Sequence, residues 1–213
     1  AREYPSVPYG ELDVLAGRIL AAGHDRILHP EGAAERFLEH SMAWLETEPE
    51  SPVYISVGHG ESLQGLPATL DTMRSLPEDS KACIDEDEDW FLDLPGIRLS
   101  ASPDDPLFAG SPLHAWLWEL GYCQVYAVSD LTVLDSDDVA QGVLIVADAR
   151  EMEEAQIASA RGWVEWDDNG LLVTGSGTEW ARANGGDLED YPMNRIMSHF
   201  GMRFSDAWSR SER

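Results

Sequence analysis

Lysine is almost missing from this 213-residue chain: of its 14 basic residues only Lys81 is a lysine, and they face 40 acids, for a net charge of −26. So negative a field makes nucleic acid a poor partner, because phosphates would approach like charge. It suits a surface kept soluble in high salt or an arginine-favouring genome, with a Ca²⁺-binding surface or a cationic partner as the functional alternatives. No run of about 18 apolar residues occurs, so no membrane span is expected. Cysteine is scarce as well. Cys83 and Cys123 lack metal-type spacing and read either as a disulfide of an exported protein or as two separate thiols, Cys123 lying in an apolar stretch that suits a buried thiol. The first residue is Ala1 rather than Met, which fits a removed leader or a trimmed piece equally well; localisation stays open, with an extracellular or surface setting the expectation.

What is present is a globular composition, 43% hydrophobic with eight tryptophans, enough to exclude a disordered chain despite the acidity. The length suits one α/β domain, 1–213, with one elaboration. Apolar runs and helical periodicities alternate. Strands are predicted at Arg18–Ala22, Val53–Val57, Cys123–Val128, Gly142–Ala147 and Leu171–Thr174, and helices over Gly32–Glu46, from Leu113 to Leu120, Glu153–Trp166 and Pro192–Phe200. Residues 65–111 break this rhythm with Pro- and Asp-rich pieces. They form an acidic insertion, with a short helix expected near Ala68–Ser75 and a short strand at Ile97–Ser100.

The succession GRILAAGHD, FLEHSMAWL, LHAWLWELGY, GVLIVADAREMEEAQIASARGWVEWDDNGLLVTGSGTEW and YPMNRIMSHFGMRF resembles the class I glutamine amidotransferase-like superfamily. It is most similar to the non-catalytic branch attached to secreted peptidases and glycoside hydrolases. The resemblance covers roughly residues 16–62 and 112–204. It implies a flavodoxin-like three-layer sandwich with a mostly parallel central sheet. In the enzymatic branch it implies a cysteine nucleophile on a tight G-x-C-x-G turn, with a later His and Glu. Here the turn reads Gly58-His59-Gly60-Glu61-Ser62, with His59 in the nucleophile's place, and neither cysteine lies on such a turn.

Strand ends in such a sheet form the ligand crevice, and each of those here carries residues capable of chemistry. His24 and Asp25 follow the first strand, and His59 and Glu61 the second. If those strands are neighbours, the two imidazoles could ligate a divalent metal or act as an acid–base pair. The structural alternative is that each Gly-His fixes its own loop, favoured because no His-Glu-x-x-His spacing occurs. Ser176, in Gly175-Ser176-Gly177-Thr178-Glu179, is a candidate serine nucleophile beside Thr178, but Thr178 stands where a G-x-S-x-G elbow needs glycine, so a helix cap near Glu179 is the plainer reading. Asp148 and Arg150 end the 142–147 strand as ligand contacts or as a loop salt bridge. Asn194 is expected to tie the last helix to the 175–178 loop. The acidic run Asp85–Asp89 lacks the spaced ligands and glycine of an EF-hand and reads as a solvated charge run. The tryptophan pairs Trp116/Trp118 and Trp163/Trp166 each need one partly outward member, a feature of partner surfaces.

The expectation is therefore a domain for binding or self-assembly without chemistry of its own, needing no cofactor. The alternative is a hydrolase using His59, Glu61 and Ser176, with His24 and His59 as candidate metal ligands.

Overall fold

The computed structural model describes residues 17–23, 25–46, 51–56, 94–100, 112–122, 124–147, 149, 151–165 and 169–205. Six strands form one mixed sheet: β1 (Arg18–Ala22), β2 (Val53–Ser56), β3 (Ile97–Leu99), β4 (Val125–Val128), β5 (Val143–Ala147) and β6 (Gly170–Thr174). Their spatial order is β1-β6-β5-β2-β4-β3, parallel throughout except for β3, which runs antiparallel to β4. Five helices accompany them: α1 (Ala33–Leu45), α2 (Pro112–Glu119), α3 (Glu154–Glu165), α4 (Gly177–Asn184) and α5 (Pro192–Ser198). Every expected element that falls among the described residues is present, with ends shifted by one or two residues. The expected helix near Ala68–Ser75 lies outside the described residues.

Helices cover both faces of the sheet, which is why the strands are continuous apolar runs rather than alternating ones. Tyr54, Tyr126, Leu144, Val146, Leu171 and Val173 point to one face and pack under α3, α5 and a 3₁₀ turn at Leu131–Asp135. Val53, Ile55, Val125, Ala127, Val143, Ile145 and Leu172 point to the other, under Leu38, Met42 and Leu45 of α1 and Leu113, Trp116 and Leu117 of α2. Burial follows position in the sheet: β2, β4 and β6 are buried at every residue, whereas β1, the outermost of the described strands on its side, buries only Ala22 fully.

One end of the sheet is bound together by backbone. Gly142 Cα sits so close to the Pro52 carbonyl that a Cβ there would lie 2.2 Å from its oxygen, and a Cβ on Gly170 would lie 2.7 Å from the Leu45 oxygen. Asn169 spans the same region, its Oδ1 accepting from Gly142 N at 2.9 Å and its Nδ2 donating to Trp163 O at 2.9 Å. Arg18 donates through one guanidinium nitrogen to Trp44 O at 2.6 Å and Glu46 O at 2.8 Å, satisfying carbonyls that the end of α1 would otherwise leave orphaned.

Candidate functional site

Chain direction fixes where a crevice forms. From β2 the chain passes through β3 and α2 to β4, on one side of β2. From β5 it passes through α3 to β6, on the other. The C-terminal ends of β2 and β5 therefore flank the point where the connections diverge, the position at which open α/β sheets bind ligands. The loop after Ser56, which carries His59 and Glu61 in sequence, and the one after Ala147, which carries Asp148 and Arg150, both leave from this point. Those four residues, and His24, lie outside the described residues. Asp25 begins a 3₁₀ turn, Asp25–Leu28, and its side chain is also outside the described set.

The neighbouring placement of the first two strands, on which a joint His24–His59 site rested, is not found. β1 pairs with β6, and both β6 and β5 stand between it and β2. Three inter-strand spacings separate the ends from which the two histidine loops depart, roughly 14 Å. The reason is the long crossover through α1, which carries the chain from the sheet edge past two strand positions that β5 and β6 fill later.

Ser176 is the N-cap of α4: its φ and ψ are −122° and 97°, and its hydroxyl accepts from Glu179 N at 3.3 Å. This is the capping reading of the Gly-Ser-Gly-Thr loop, with one orphan N–H of the first turn satisfied. Thr178 lies within that first turn. Asn194, 4% exposed, ties α5 down, but not to the 175–178 loop as expected. Its Nδ2 donates to Leu188 O at 2.8 Å and Phe204 O at 3.0 Å, and its Oδ1 accepts from Phe204 N at 2.6 Å. The amide thus clamps the segments on either side of α5, a local bond set that its planar donor–acceptor geometry completes better than a single long-range contact would.

Two features had little signal in the sequence. Thr174, at the C-terminal end of β6, is wholly buried, and its hydroxyl has no hydrogen-bond partner. It is flanked by Ala22 of β1 and Ala147 of β5 in register. Its only mark in the sequence is a polar residue closing an otherwise apolar strand. The second is a trio of which two members are buried. Trp118 Nε1 donates to His114 Nε2 at 3.1 Å, and Ser100 Oγ lies 2.6 Å from the same nitrogen. An indole N–H can only donate, so Nε2 is the lone-pair nitrogen and the neutral ring carries its proton on Nδ1. Ser100 therefore donates into an imidazole, the polarity of a nucleophile–base pair. Yet Ser100 and His114 are 2% and 1% exposed, and the trio pins the end of β3 to α2.

A hollow of about 360 Å³ opens at the opposite end of the sheet, beside Asp135, Ser136, Trp163 and Asn169. Several of its polar groups already serve the fold: Asp135 accepts from Ser159 Oγ at 2.7 Å, Ser136 Oγ accepts from Asp138 N at 3.3 Å, and both ends of the Asn169 amide are engaged. Among the described residues no three His, Cys, Asp or Glu side chains gather as a metal site, and no helix is long and apolar enough to cross a membrane.

The described residues define an α/β protein with a six-stranded, mostly parallel mixed sheet whose connections diverge between β5 and β2. No protein-family model, curated protein or solved structure matches the chain.

Proposed function

We propose that this chain is a non-catalytic, amidotransferase-like domain of flavodoxin-like architecture that works by binding or self-assembly, in an exported or surface-associated setting. The observation that carries the reading is the structural duty of two candidate residues: Ser176 caps a helix and Asn194 clamps the chain around α5. The sequence adds that His59 stands where the resembling enzymes need cysteine. Glutamine, ester and amide substrates offered to the purified chain, beside a His59→Ala variant and with metal analysis of both, test it. The expected result is no turnover that the variant abolishes; turnover lost in His59→Ala would overturn the reading.

One observation favours the second reading, a hydrolase or ligand-binding crevice built from His59, Glu61, Asp148, Arg150 and Ser176, without the joint His24–His59 site. The unpartnered Thr174 hydroxyl lies on the same C-terminal rim, and a buried hydroxyl left without a partner costs about 1–3 kcal/mol. A small polar ligand seated there would remove that cost. Screening small polar molecules by thermal shift, wild type against Thr174→Val, separates the two readings.

A further inference from the structure

The Ser100–His114–Trp118 trio holds a histidine in one protonation state. Trp118 Nε1 and Ser100 Oγ lie 3.1 Å and 2.6 Å from the same His114 nitrogen, Nε2. A proton on that nitrogen would set it head to head with the indole N–H. Ser100 can rotate its hydroxyl to accept from a protonated Nε2, but an indole N–H has no acceptor to offer, so Trp118 has no such choice. The His114 ring is also 1% exposed, and a cation with so little water around it is costly unless it is paired.

The charged groups on the surrounding elements add to this bias or stand apart from it. Ile97 and Leu99 of β3 enter the core on one face of the sheet, so by strand alternation Arg98 lies with Ser100 on the face that α2 covers, and it brings positive charge. β2 and β4, beneath α2, carry no charged residue. Glu119, on α2 itself, is exposed and about 140° round the helix from His114. Glu46, at the end of α1, accepts from the Tyr122 hydroxyl. Asp104 and Asp105, in the connection from β3 to α2, lie outside the described residues.

We infer that His114 is an acid-sensitive latch: its neutral ring holds β3 to α2, and protonation expels the Trp118 indole and frees the strand. β3 is lightly held otherwise. It is three residues long, antiparallel, and among the described strands hydrogen-bonded to β4 alone. Elements held so lightly open locally while the rest of a sheet stays folded. The closed joint binds the proton more weakly than the open one. The latch's contribution is therefore fully present above the ordinary histidine range, near pH ~6.5, and is lost as pH falls through it. If the closed ring refuses the proton, an open-state pKa of about 6.5 raises the opening constant roughly thirtyfold at pH 5. The latch goes beyond the binding-or-assembly reading and does not depend on it; turnover lost in His59→Ala would leave it untouched.

Amide hydrogen exchange of β3 and Ser100, taken as protection relative to β5, tests this between about pH 7.5 and about pH 5, above the range in which most carboxylates titrate. Expected is a roughly thirtyfold loss of relative protection in wild type, reduced to about twofold or less in His114→Gln, which keeps an acceptor but does not titrate. Ring titration by NMR adds a readout that burial alone would not give. His114 should titrate below the ordinary histidine range, and Trp118→Phe, which removes the indole N–H, should move it up by about one pH unit. Relative protection equal at both pH values, a response retained in His114→Gln, or a ring titration unmoved by Trp118→Phe would each overturn the latch. So would a His114 that titrates at or above the ordinary range, the result expected of a carboxylate held against the ring. Should His114→Gln fail to fold, the titrations of wild type and Trp118→Phe decide by themselves.

Discussion

The two ends of the sheet are built on opposite principles. At the N-terminal end of the parallel strands, glycine lets backbone touch backbone, Asn169 uses both halves of its amide, and Arg18 collects the last carbonyls of α1. At the C-terminal end the contacts are local, a cap at Ser176 and a clamp at Asn194, and one buried hydroxyl goes unpaired. Among the described residues, the close backbone packing lies at the one end and the spare hydroxyl at the other, on β6. A fold can carry an orphan hydroxyl when other contacts offset the cost, and such orphans gather at sites that something else completes.

The comparison breaks most severely at Gly142. Gly142→Ala is expected to destabilise by ~3 kcal/mol, since the atoms a methyl would strike are backbone and have little freedom to yield; chemical denaturation with an unchanged m-value checks this. Asn169→Ala should cost about 2 kcal/mol by leaving the Gly142 N–H buried without its acceptor, read in the same titration. At the other end the effects shrink and one changes sign. Ser176→Ala should cost ~1 kcal/mol, the value of a helix cap, and leave the core melting cooperatively. Thr174→Val removes an unsatisfied hydroxyl at nearly constant shape and should stabilise the free protein by roughly 1 kcal/mol; a loss of stability instead would show the hydroxyl to be satisfied in solution.

The smallest effect concerns Glu46, at the tight end, whose carboxyl burial pushes above the ordinary carboxylate range while the Tyr122 hydroxyl donates to it. A raised carboxyl binds its proton more tightly folded than unfolded. Its contribution is therefore fully present below the ordinary carboxylate range and is lost as pH rises through the folded value. Glu46→Gln should match wild type near pH 4 and become slightly the more stable by pH 7, in paired thermal melts.

Much of the fold was legible because burial on two faces writes itself into composition: Val143–Ala147 and Leu171–Thr174 are continuous apolar runs, and Ile157, Ala160 and Val164 repeat at helical spacing. The cap at Ser176 was legible for the same local reason, a hydroxyl three residues before a backbone N–H. The Ser100–His114–Trp118 trio was not, for only Trp118 and His114 are helical neighbours, and Ser100 reaches them from the end of an edge strand. Asn194 showed that a polar residue at a helix start is held, but not by what.

By itself, then, the sequence determined the elements and the acidic composition, which depend on residues near one another in the chain or on none in particular. The tertiary structure alone decided which strands are neighbours. Strand order depends on crossovers that no local pattern encodes, and here the α1 crossover leaves β1 beside β6, with two strands between it and β2. With that placement the strands that precede His24 and His59 in sequence end apart on the rim, and the connections diverge between β5 and β2.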